Sequence, residues 1–313
     1  MELKNTAFAN FNVTFGDKEE PLLEHFDDIL YPAFSSNIKR KYKVSTNGED
    51  LNMLFYDVKV VDVEEENYVL TGKLIKDTEL DVYNQLENGV LTSTDEHYRS
   101  APYSVFYIYL KNHRMVLIQN QNGSPDLRAF RLTVKHVLNT FIKEKNKERE
   151  NKLPYAMLNV VGMPAKELLD EKFSNIKKVE KMVLRFYPLN GDLELADLIQ
   201  DVSVDLRKTI DAKTGSIVVN SPENKAAVAE LMESTYGIVD VTVQAKLNNS
   251  EKCRITNDSI STKTSVSMTE EEINNPKTVH SKLKNNKGLA YISAENSSIY
   301  DRIKDIIKKI CNL

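Results

Sequence analysis

Residues Tyr98 to Lys152 read YRSAPYSVFYIYLKNHRMVLIQNQNGSPDLRAFRLTVKHVLNTFIKEKNKERENK, and their pattern predicts a strand hairpin followed by a long helix. Positions 103–110 alternate between two faces that carry apolar or aromatic side chains, which is typical of a buried strand. The polar run from Lys111 to Arg114 interrupts this alternation before a second apolar strand. Ser124-Pro125 then supplies an N-cap and a first-turn proline for the helix.

The predicted helix has one apolar face and one basic flank. On a helical wheel Arg128 and Lys135 lie together away from the apolar face, with Lys143 near them and Arg131 at the border. Eight lysines or arginines and three glutamates between Arg128 and Lys152 give this segment a local charge of about +5. The apolar face is formed by Phe130, Val134, Val137, Leu138 and Phe141.

Composition is that of an ordinary globular protein. The 313 residues suffice for two domains, and 41% hydrophobic with 28% charged residues is typical of a folded chain. The two cysteines, Cys253 and Cys311, suggest neither a disulfide framework nor a metal-binding motif. With no apolar signal region and no apolar run near ~18 residues, we expect a cytoplasmic protein without membrane insertion. The net charge of −4 argues against a wholly basic coat protein but permits a local basic patch.

Strand and helix patterns lie on both sides of the basic tail of the helix. We therefore predict an α+β protein with two α/β domains, each a mostly antiparallel or mixed sheet covered by helices. The N-terminal sheet-plus-helix domain is expected to span residues 1–142, and residues 143–152 form a charged linker or helix tail. The C-terminal α/β domain is expected to span residues 153–313.

Several segments have weaker patterns. Leu80 to Arg99 is polar and poor in periodicity, which predicts a long surface loop. A helix is predicted from Leu193, and Leu289 to Ser293 fits a strand. The final helix carries an isoleucine stripe that either packs within its own domain or forms a dimer contact. That stripe consists of Ile299, Ile303, Ile306, Ile307 and Ile310.

Local motifs point to no particular reaction. The chain has no glycine-rich phosphate loop, HExxH or GxSxG motif, and its five histidines form no close pair with a cysteine or with each other. We therefore expect no cofactor and no metal. His113 beside Arg114 could position a phosphate or act as an acid or base, but the same residues also suit a polar turn.

Asp57-Val58-Lys59 suggests an alternative. An acidic residue and a lysine two positions apart leave the same face of a strand, where the acid can hold Mg²⁺ and the lysine can position a water molecule. This pattern would fit a Mg²⁺-dependent nuclease. A half-exposed strand edge explains the same residues equally simply.

Basic residues supply the main hypothesis. Phosphate binding requires grouped cations but no sequence code, and the flank of the helix provides such a group. Tyr98, Arg99 and Tyr103 could add stacking or sugar contacts to a single strand. The basic run Lys39-Arg40-Lys41 could add further phosphate contacts. The alternative is that both basic segments only face water and keep the protein soluble.

Two blocks carry a resemblance to a known group of proteins. Ser100 to Met115, and Asn220-Ser-Pro-Glu-Asn224 with the helix and Tyr236-Gly237 that follow, resemble an uncharacterised bacterial family associated with phage-defence neighbourhoods. The order of elements also resembles that of the DNA-binding protein of the Rex phage-exclusion system. The resemblance implies a DNA-binding, dimeric defence protein and transfers no site residue by residue.

Together these observations predict a protein that binds nucleic acid, duplex DNA above all, without strong sequence preference and as a homodimer. A protein-interaction or sensor subunit of a defence complex is the alternative from another class. The residues expected to hold phosphates are Arg128, Arg131, Lys135 and Lys143, with Arg114, Lys39, Arg40 and Lys41 as additions.

Overall fold

A computed structural model describes residues 2–45, 48–190, 207–290 and 292–312. Helices account for 33% and strands for 40% of the structure, and the sheets are antiparallel and flanked by helices. The α+β class predicted from the sequence is therefore confirmed.

The larger sheet is organised around its long first strand. Its strands are β1 (Glu2–Phe15), β2 (Glu20–Pro21), β3 (Arg40–Val44), β4 (Asp50–Asp62), β5 (Tyr68–Lys76), β8 (Tyr103–Tyr109), β9 (Arg114–Gln119), β10 (Ala156–Gly162) and β15 (Thr262–Met268). The order across the sheet is β10-β1-β9-β8-β5-β4-β3, and β2 and β15 also pair with β1. Between β5 and β8 the chain forms a separate two-stranded hairpin of β6 (Thr78–Glu87) and β7 (Val90–Ser100).

Helical segments cover one face of this sheet. The first runs from a 3-10 turn (Leu22–His25) through a π-helical turn (Phe26–Leu30) into α1 (Tyr31–Phe34). The second is α2 (Leu127–Glu148), whose N-cap is Asp126 rather than Ser124, with the Asp126 carboxylate accepting from the Ala129 amide at 2.8 Å.

Aromatic side chains join these helices to the sheet. The Phe130 ring of α2 lies 5.4–6.2 Å from the rings of Phe11, Phe55 and Phe106, measured between centroids, and Phe34 of α1 stacks on Phe55 at 4.6 Å. Such distances are those of favourable edge-on and offset aromatic pairs. The predicted apolar face of the helix is thus the face that packs on the sheet.

In the described parts of the chain, helices pack on one face of the smaller sheet. Its strands follow the order β12-β11-β13-β14, in which β11 is Ile176–Phe186, β12 is Gly215–Asn220, β13 is Asp240–Leu247 and β14 is Lys252–Thr256. The short α4 (Arg207–Thr209) precedes β12. Helices α3 (Lys166–Ser174) and α5 (Lys225–Ser234) bury Phe173 and Met232 against the sheet. The opposite face carries mainly polar side chains, together with Val183 and Val218.

The chain then returns to the larger sheet. A 3-10 turn (Asn257–Ile260) leads into β15, and the helices that follow are α6 (Glu270–Ile273), α7 (Pro276–Leu283), α8 (Lys287–Ala290) and α9 (Ala294–Cys311). Ile299 and Ile307 of α9 are buried in the core of the larger sheet. The Tyr300 hydroxyl accepts from the Tyr68 amide at 3.2 Å. The isoleucine stripe therefore packs within its own fold. None of the described helices is long and apolar enough to cross a membrane.

The sheet crosses the predicted domain boundary. Residues 143–148 continue α2, and β10, the strand that follows, pairs with β1 from Ala9 to Phe15. β15 pairs with the beginning of β1. The larger sheet is therefore not confined to residues 1–142, because a charged helix tail does not prevent the next strand from joining the same sheet.

Two weakly patterned segments differ from the prediction. The loop predicted over Leu80–Arg99 is a β-hairpin, because its polar residues alternate with exposed apolar ones. The strand predicted at Leu289–Ser293 is wrong at its start, since Leu289 and Ala290 end α8. The helix predicted from Leu193 lies outside the described residues.

The pH dependence of stability is expected to reflect His25. Its Nε2 lies 2.8 Å from Glu20 Oε2 and its Nδ1 3.2 Å from Asp28 Oδ1, and the bond to Asp28 is the main cause that raises its pKa to about 8. The stabilisation is fully present below the unfolded pKa of about 6.5 and is lost as the pH rises through 8. We expect the free energy of unfolding to fall by about 1 kcal/mol over this range, an amount reduced by water at the half-exposed carboxylates.

Urea denaturation at pH 6 and pH 9 measures this change. His25→Gln should abolish the part of the pH dependence that lies between these values, whereas His136→Gln, which alters an exposed histidine on α2, should leave it unchanged. Equal pH dependence in the wild type and in His25→Gln would contradict the assignment.

Candidate nucleic-acid interface

The beginning of α2 faces the open side of the smaller sheet across a cleft. The cleft has a volume of about 400 Å³, and both of its walls carry arginines. Arg128 and Arg131 come from α2, Arg185 from β11 and Arg254 from β14. The complete lining is Arg128, Arg131, Val183, Arg185, Asp240, Thr242, Arg254, Thr256 and Asp258.

Strand alternation places the sheet residues on one face. Arg185 is the register partner of Asp240, and Thr242 is the partner of Thr256. Directly paired residues point to the same side of a sheet, and neighbours along a strand point to opposite sides. Val241 and Val243, between and beyond these positions, are fully buried under the helices. The polar positions must therefore face the cleft.

Arg131 fixes the distance between the two walls. Its Nη2 donates to Asp258 Oδ2 at 2.9 Å, and its Nη1 donates to the Val160 carbonyl at 3.0 Å. Asp258 Oδ1 also accepts from the Gly162 amide at 3.3 Å. The guanidinium thus joins α2, β10 and the turn after β14, and a half-buried ion pair with these added bonds is held in one geometry.

The other three arginines are available to a ligand. Arg128, Arg185 and Arg254 are exposed, and none of them forms an ion pair with a carboxylate among the described residues. Asp240 lies among them on the floor of the cleft. Burial raises the pKa of Asp240, the charge of Asp258 raises it further, and the nearby Arg185, Arg131 and Arg254 act in the opposite direction.

Positive charge continues along α2. Lys135 and Lys143 are exposed and follow Arg128 at intervals of seven and eight residues, on the flank that the helical wheel predicts. Each interval corresponds to about 10–12 Å along the axis of an α-helix. The four residues predicted on this helix therefore form one surface, in which Arg131 supports the wall and the other three face solvent.

Sequence reasoning missed the second wall of the cleft. Lys181 and Arg185 are four residues apart on β11, and Lys252 and Arg254 are two apart on β14, so each pair lies on one face of its strand. Basic residues at even spacings in a strand indicate a charged sheet face. That signal was present in the sequence, but only the tertiary structure shows that the face lies opposite α2.

Arg114 is not in this cleft, and its predicted contact with phosphate is wrong. Its side chain is fully buried, and Nη1 donates to the Tyr236 carbonyl at 2.9 Å. Neighbouring His113 is also fully buried, in the turn between β8 and β9, with a positive φ of 56°. Burial, together with the charge of Arg114, lowers the pKa of His113 to about 3. His113 is therefore a residue of the turn and Arg114 the first residue of β9, and neither side chain is exposed to a ligand.

The basic run at 39–41 lies at the other edge of the larger sheet. β3 is one edge strand and β10, beside the cleft, is the other, and six strand spacings correspond to about 29 Å. Arg40 donates to Thr133 Oγ1 at 3.0 Å, Lys41 pairs with Asp50 at 2.5 Å, and Lys39 is exposed. None of these three residues lines the cleft, although Arg40 reaches α2 at Thr133, five residues beyond Arg128.

The predicted stacking residues are also elsewhere. Tyr98 and Arg99 belong to β7, where Arg99 pairs with Asp77 at 2.7 Å and with Glu49 at 3.0 Å. The Tyr103 hydroxyl donates to Glu270 at 2.8 Å. The cleft therefore gains no aromatic platform from these side chains.

Asp57 and Lys59 form an exposed pair within an irregularity of β4. Lys59 Nζ lies 3.4 Å from Asp57 Oδ2, and Asp57 has a positive φ of 51°. In the described parts of the chain no three His, Cys, Asp or Glu side chains come together as metal ligands. A single carboxylate beside a lysine is a weak Mg²⁺ site, since Mg²⁺ sites in enzymes are completed by further oxygen ligands.

No curated protein gives a significant match. One family, described as "Domain of unknown function (DUF4747)", matches residues 4–284. This range includes the larger sheet except the first two residues of β1, the smaller sheet, α2 and every residue that lines the cleft. The chain therefore belongs to the DUF4747 family.

Proposed function

We propose that this protein binds nucleic acid through the phosphate backbone, that its ligand is duplex DNA, and that binding has no strong sequence preference. The observation that supports this proposal is the cleft in which four arginines from two opposed walls outnumber two aspartates. Guanidinium groups bind phosphate oxygens in a bidentate manner and stay charged at any physiological pH. The two walls would grip a backbone that passes between them.

The extent of the positive surface favours a polymer over a small anion. Arg128 and Lys143 are fifteen residues apart on α2, which corresponds to about 22 Å along the helix axis. A mononucleotide or free phosphate would occupy only the cleft. Because B-DNA rises about 3.4 Å per base pair in each strand, the surface matches roughly six to seven base pairs of backbone.

The chemistry of the lining favours the backbone over the bases. The lining side chains are Arg, Asp, Thr and Val, and none of the described ones is aromatic. Proteins that bind single strands commonly stack bases on aromatic side chains. Threonine hydroxyls and arginines instead make contacts to phosphate and sugar, which position a protein on a duplex without reading its sequence.

The biological setting is proposed from the sequence. We place the protein in the cytoplasm and in bacterial defence against phage, which the resemblance of the blocks at 100–115 and 220–237 implies. A protein that recognises DNA by its backbone suits such a role, because backbone contacts do not depend on the sequence of the invader.

Charge reversal in the cleft tests DNA binding. We would titrate a labelled random duplex with the full chain, follow fluorescence anisotropy, and repeat the titration across a salt series. Arg128→Glu combined with Arg254→Glu should weaken binding roughly tenfold or more, and the dependence of log K on log salt should become shallower by about one for each lost phosphate contact.

The matched control carries the same change of charge at residues that do not line the cleft. Lys39→Glu combined with Lys43→Glu alters two exposed residues at the β3 edge and should leave the affinity close to that of the wild type. Equal losses in both double variants would show that only the overall charge matters. No binding by the wild type at micromolar protein would overturn the proposal and favour a protein ligand.

Asp240 is expected to weaken DNA binding. Its carboxylate lies on the floor of the cleft, where a negative charge repels phosphate. Asp240→Asn should therefore increase the affinity for the duplex about three- to tenfold, on the order of the energy of one partly screened charge pair. The same anisotropy titration measures the change.

The comparison for this variant is Asp170→Asn, which removes an exposed carboxylate from α3 on the other side of the smaller sheet. It should have little effect on affinity. An unchanged or lower affinity of Asp240→Asn, with the fold intact by circular dichroism, would contradict a phosphate ligand in the cleft.

A further inference from the structure

The hairpin of β6 and β7 extends a ladder of the larger sheet into solvent. β5 and β8 pair with Ile75 opposite Tyr103, and β6 and β7 continue in the same register with Thr78 opposite Ser100. β6 therefore continues β5, and β7 leads into β8, so that the hairpin extends the β5–β8 ladder past the end of the sheet. We call the segment 78–100 the arm. In the described parts of the chain its strands pair only with each other.

The root of the arm is fixed to the body. Arg99 donates two hydrogen bonds to the carboxylate of Asp77, at 2.7 and 2.8 Å, and a third to Glu49 at 3.0 Å. The Lys76 amide donates to the Pro102 carbonyl at 2.9 Å. These contacts hold the direction in which the arm leaves the sheet.

One face of the arm is apolar and exposed. The register pairs Leu80 with Tyr98, Val82 with Glu96 and Leu86 with Leu91, so this face carries five large apolar side chains and one carboxylate. Leu86 and Leu91 expose 73% and 70% of their area, and Leu80 and Tyr98 expose about half of theirs. A two-stranded ribbon without a partner is only marginally stable in water. We therefore expect this face to be buried against a partner surface.

The opposite face is mainly polar. It carries Glu79 opposite Arg99, and Asp81 opposite His97, whose Nδ1 lies 2.9 Å from the carboxylate. Five carboxylates and one arginine give the segment 78–100 a negative charge. This charge argues against DNA or an anionic membrane as the binding partner of the arm, because both would be repelled.

We propose that the apolar face of the arm packs against the same face of a second copy of this chain. The apolar surface that the face exposes is roughly 500 Å² per copy, and two such faces together reach the ~1,000 Å² that a specific interface requires. A two-fold arrangement lets each leucine strip meet an identical strip. Glu96 also lies on this face, and its carboxylate accepts from the Tyr98 hydroxyl. The face that carries Glu79 and Asp81 remains in water on the outside of the pair.

Sedimentation velocity of the full chain tests this contact between about 1 and 100 µM, a range that spans dissociation constants typical of modest interfaces. We expect a monomer–dimer equilibrium that persists in high salt, since apolar contacts are not screened. Leu86→Thr combined with Leu91→Thr keeps residues that favour strands and should shift the protein to monomer.

The matched control lies on the other face of the same arm. Tyr83 and Val90 expose 64% and 66% of their area, so Tyr83→Thr combined with Val90→Thr removes a similar apolar surface and should leave the dimer intact. Loss of the dimer in the control but not in the leucine variant would overturn the proposal. Wild-type protein that is monomeric throughout the concentration range would overturn it as well.

A second measurement uses the wild type and does not depend on the folding of a variant. Hydrogen exchange of residues 78–100 should slow as the protein concentration rises, whereas exchange in the core should not change. Concentration-independent exchange in the arm would overturn the proposal. A salt-sensitive association that Arg128→Glu combined with Arg254→Glu abolishes would also overturn it, because it would identify the acidic arm as a ligand of the cleft in another copy. The contact is independent of DNA binding, so either proposal can fail alone.

Discussion

The pairing of β1 along both of its edges is the constraint on which the whole structure depends. One edge pairs with β9, and the other pairs with β15 along its first half and with β10 along its second half. Because β10 and β15 both follow α2 in the chain, a single strand holds together segments from both halves of the sequence. The position of the smaller sheet follows from this pairing, since the chain between β10 and β15 has to leave and rejoin the same ladder.

The two faces of β1 contact different parts of the fold. Phe11 faces the aromatic core under α2, whereas Asn12 faces the other side, where its amide donates to the Pro188 carbonyl. Asn190 then donates to the Phe11 carbonyl at 3.5 Å and accepts from the Leu22 amide at 3.1 Å. Buried polar groups are costly unless they are hydrogen-bonded, so these amides specify how the end of β11 and its following residues sit on the larger sheet.

Arg114 and Arg131 also connect distant parts of the fold through hydrogen bonds. Arg114 reaches from β9 to the carbonyl of Tyr236, beyond the end of α5. Arg131 reaches from α2 to the turn that precedes β15. Each joins the layers of the larger sheet to a segment that flanks the smaller one. The bonds of Arg131 to Asp258 and to the Val160 carbonyl hold the two walls of the cleft together.

Periodicity predicted most of the regular elements, because a strand or helix that buries one face must repeat its apolar residues with the period of that element. The apolar face and basic flank of α2 were predictable for this reason. The arm was not, because its leucines are exposed in a single chain and its bulged register interrupts the alternation. The burial of Arg114 was also not predictable, since its partner is a backbone carbonyl more than a hundred residues away. Local sequence gives the chemistry of a side chain, but its surroundings come from tertiary contacts.

The arm and the cleft are connected through the same end of α2. Ser104, at the start of β8 and close to the root of the arm, donates to the Pro125 carbonyl at 2.6 Å, and Arg128 follows in the first turn of the helix. Two chains joined by their arms would therefore hold two clefts at a fixed separation. Once one cleft has bound a duplex, the second acts at a high local concentration of the same DNA if the geometry lets both engage it. Weak contacts to phosphate in each cleft could then add up to firm binding of long DNA, while short fragments that fill one cleft would dissociate. The length of the DNA, rather than its sequence, would then determine how tightly the pair binds.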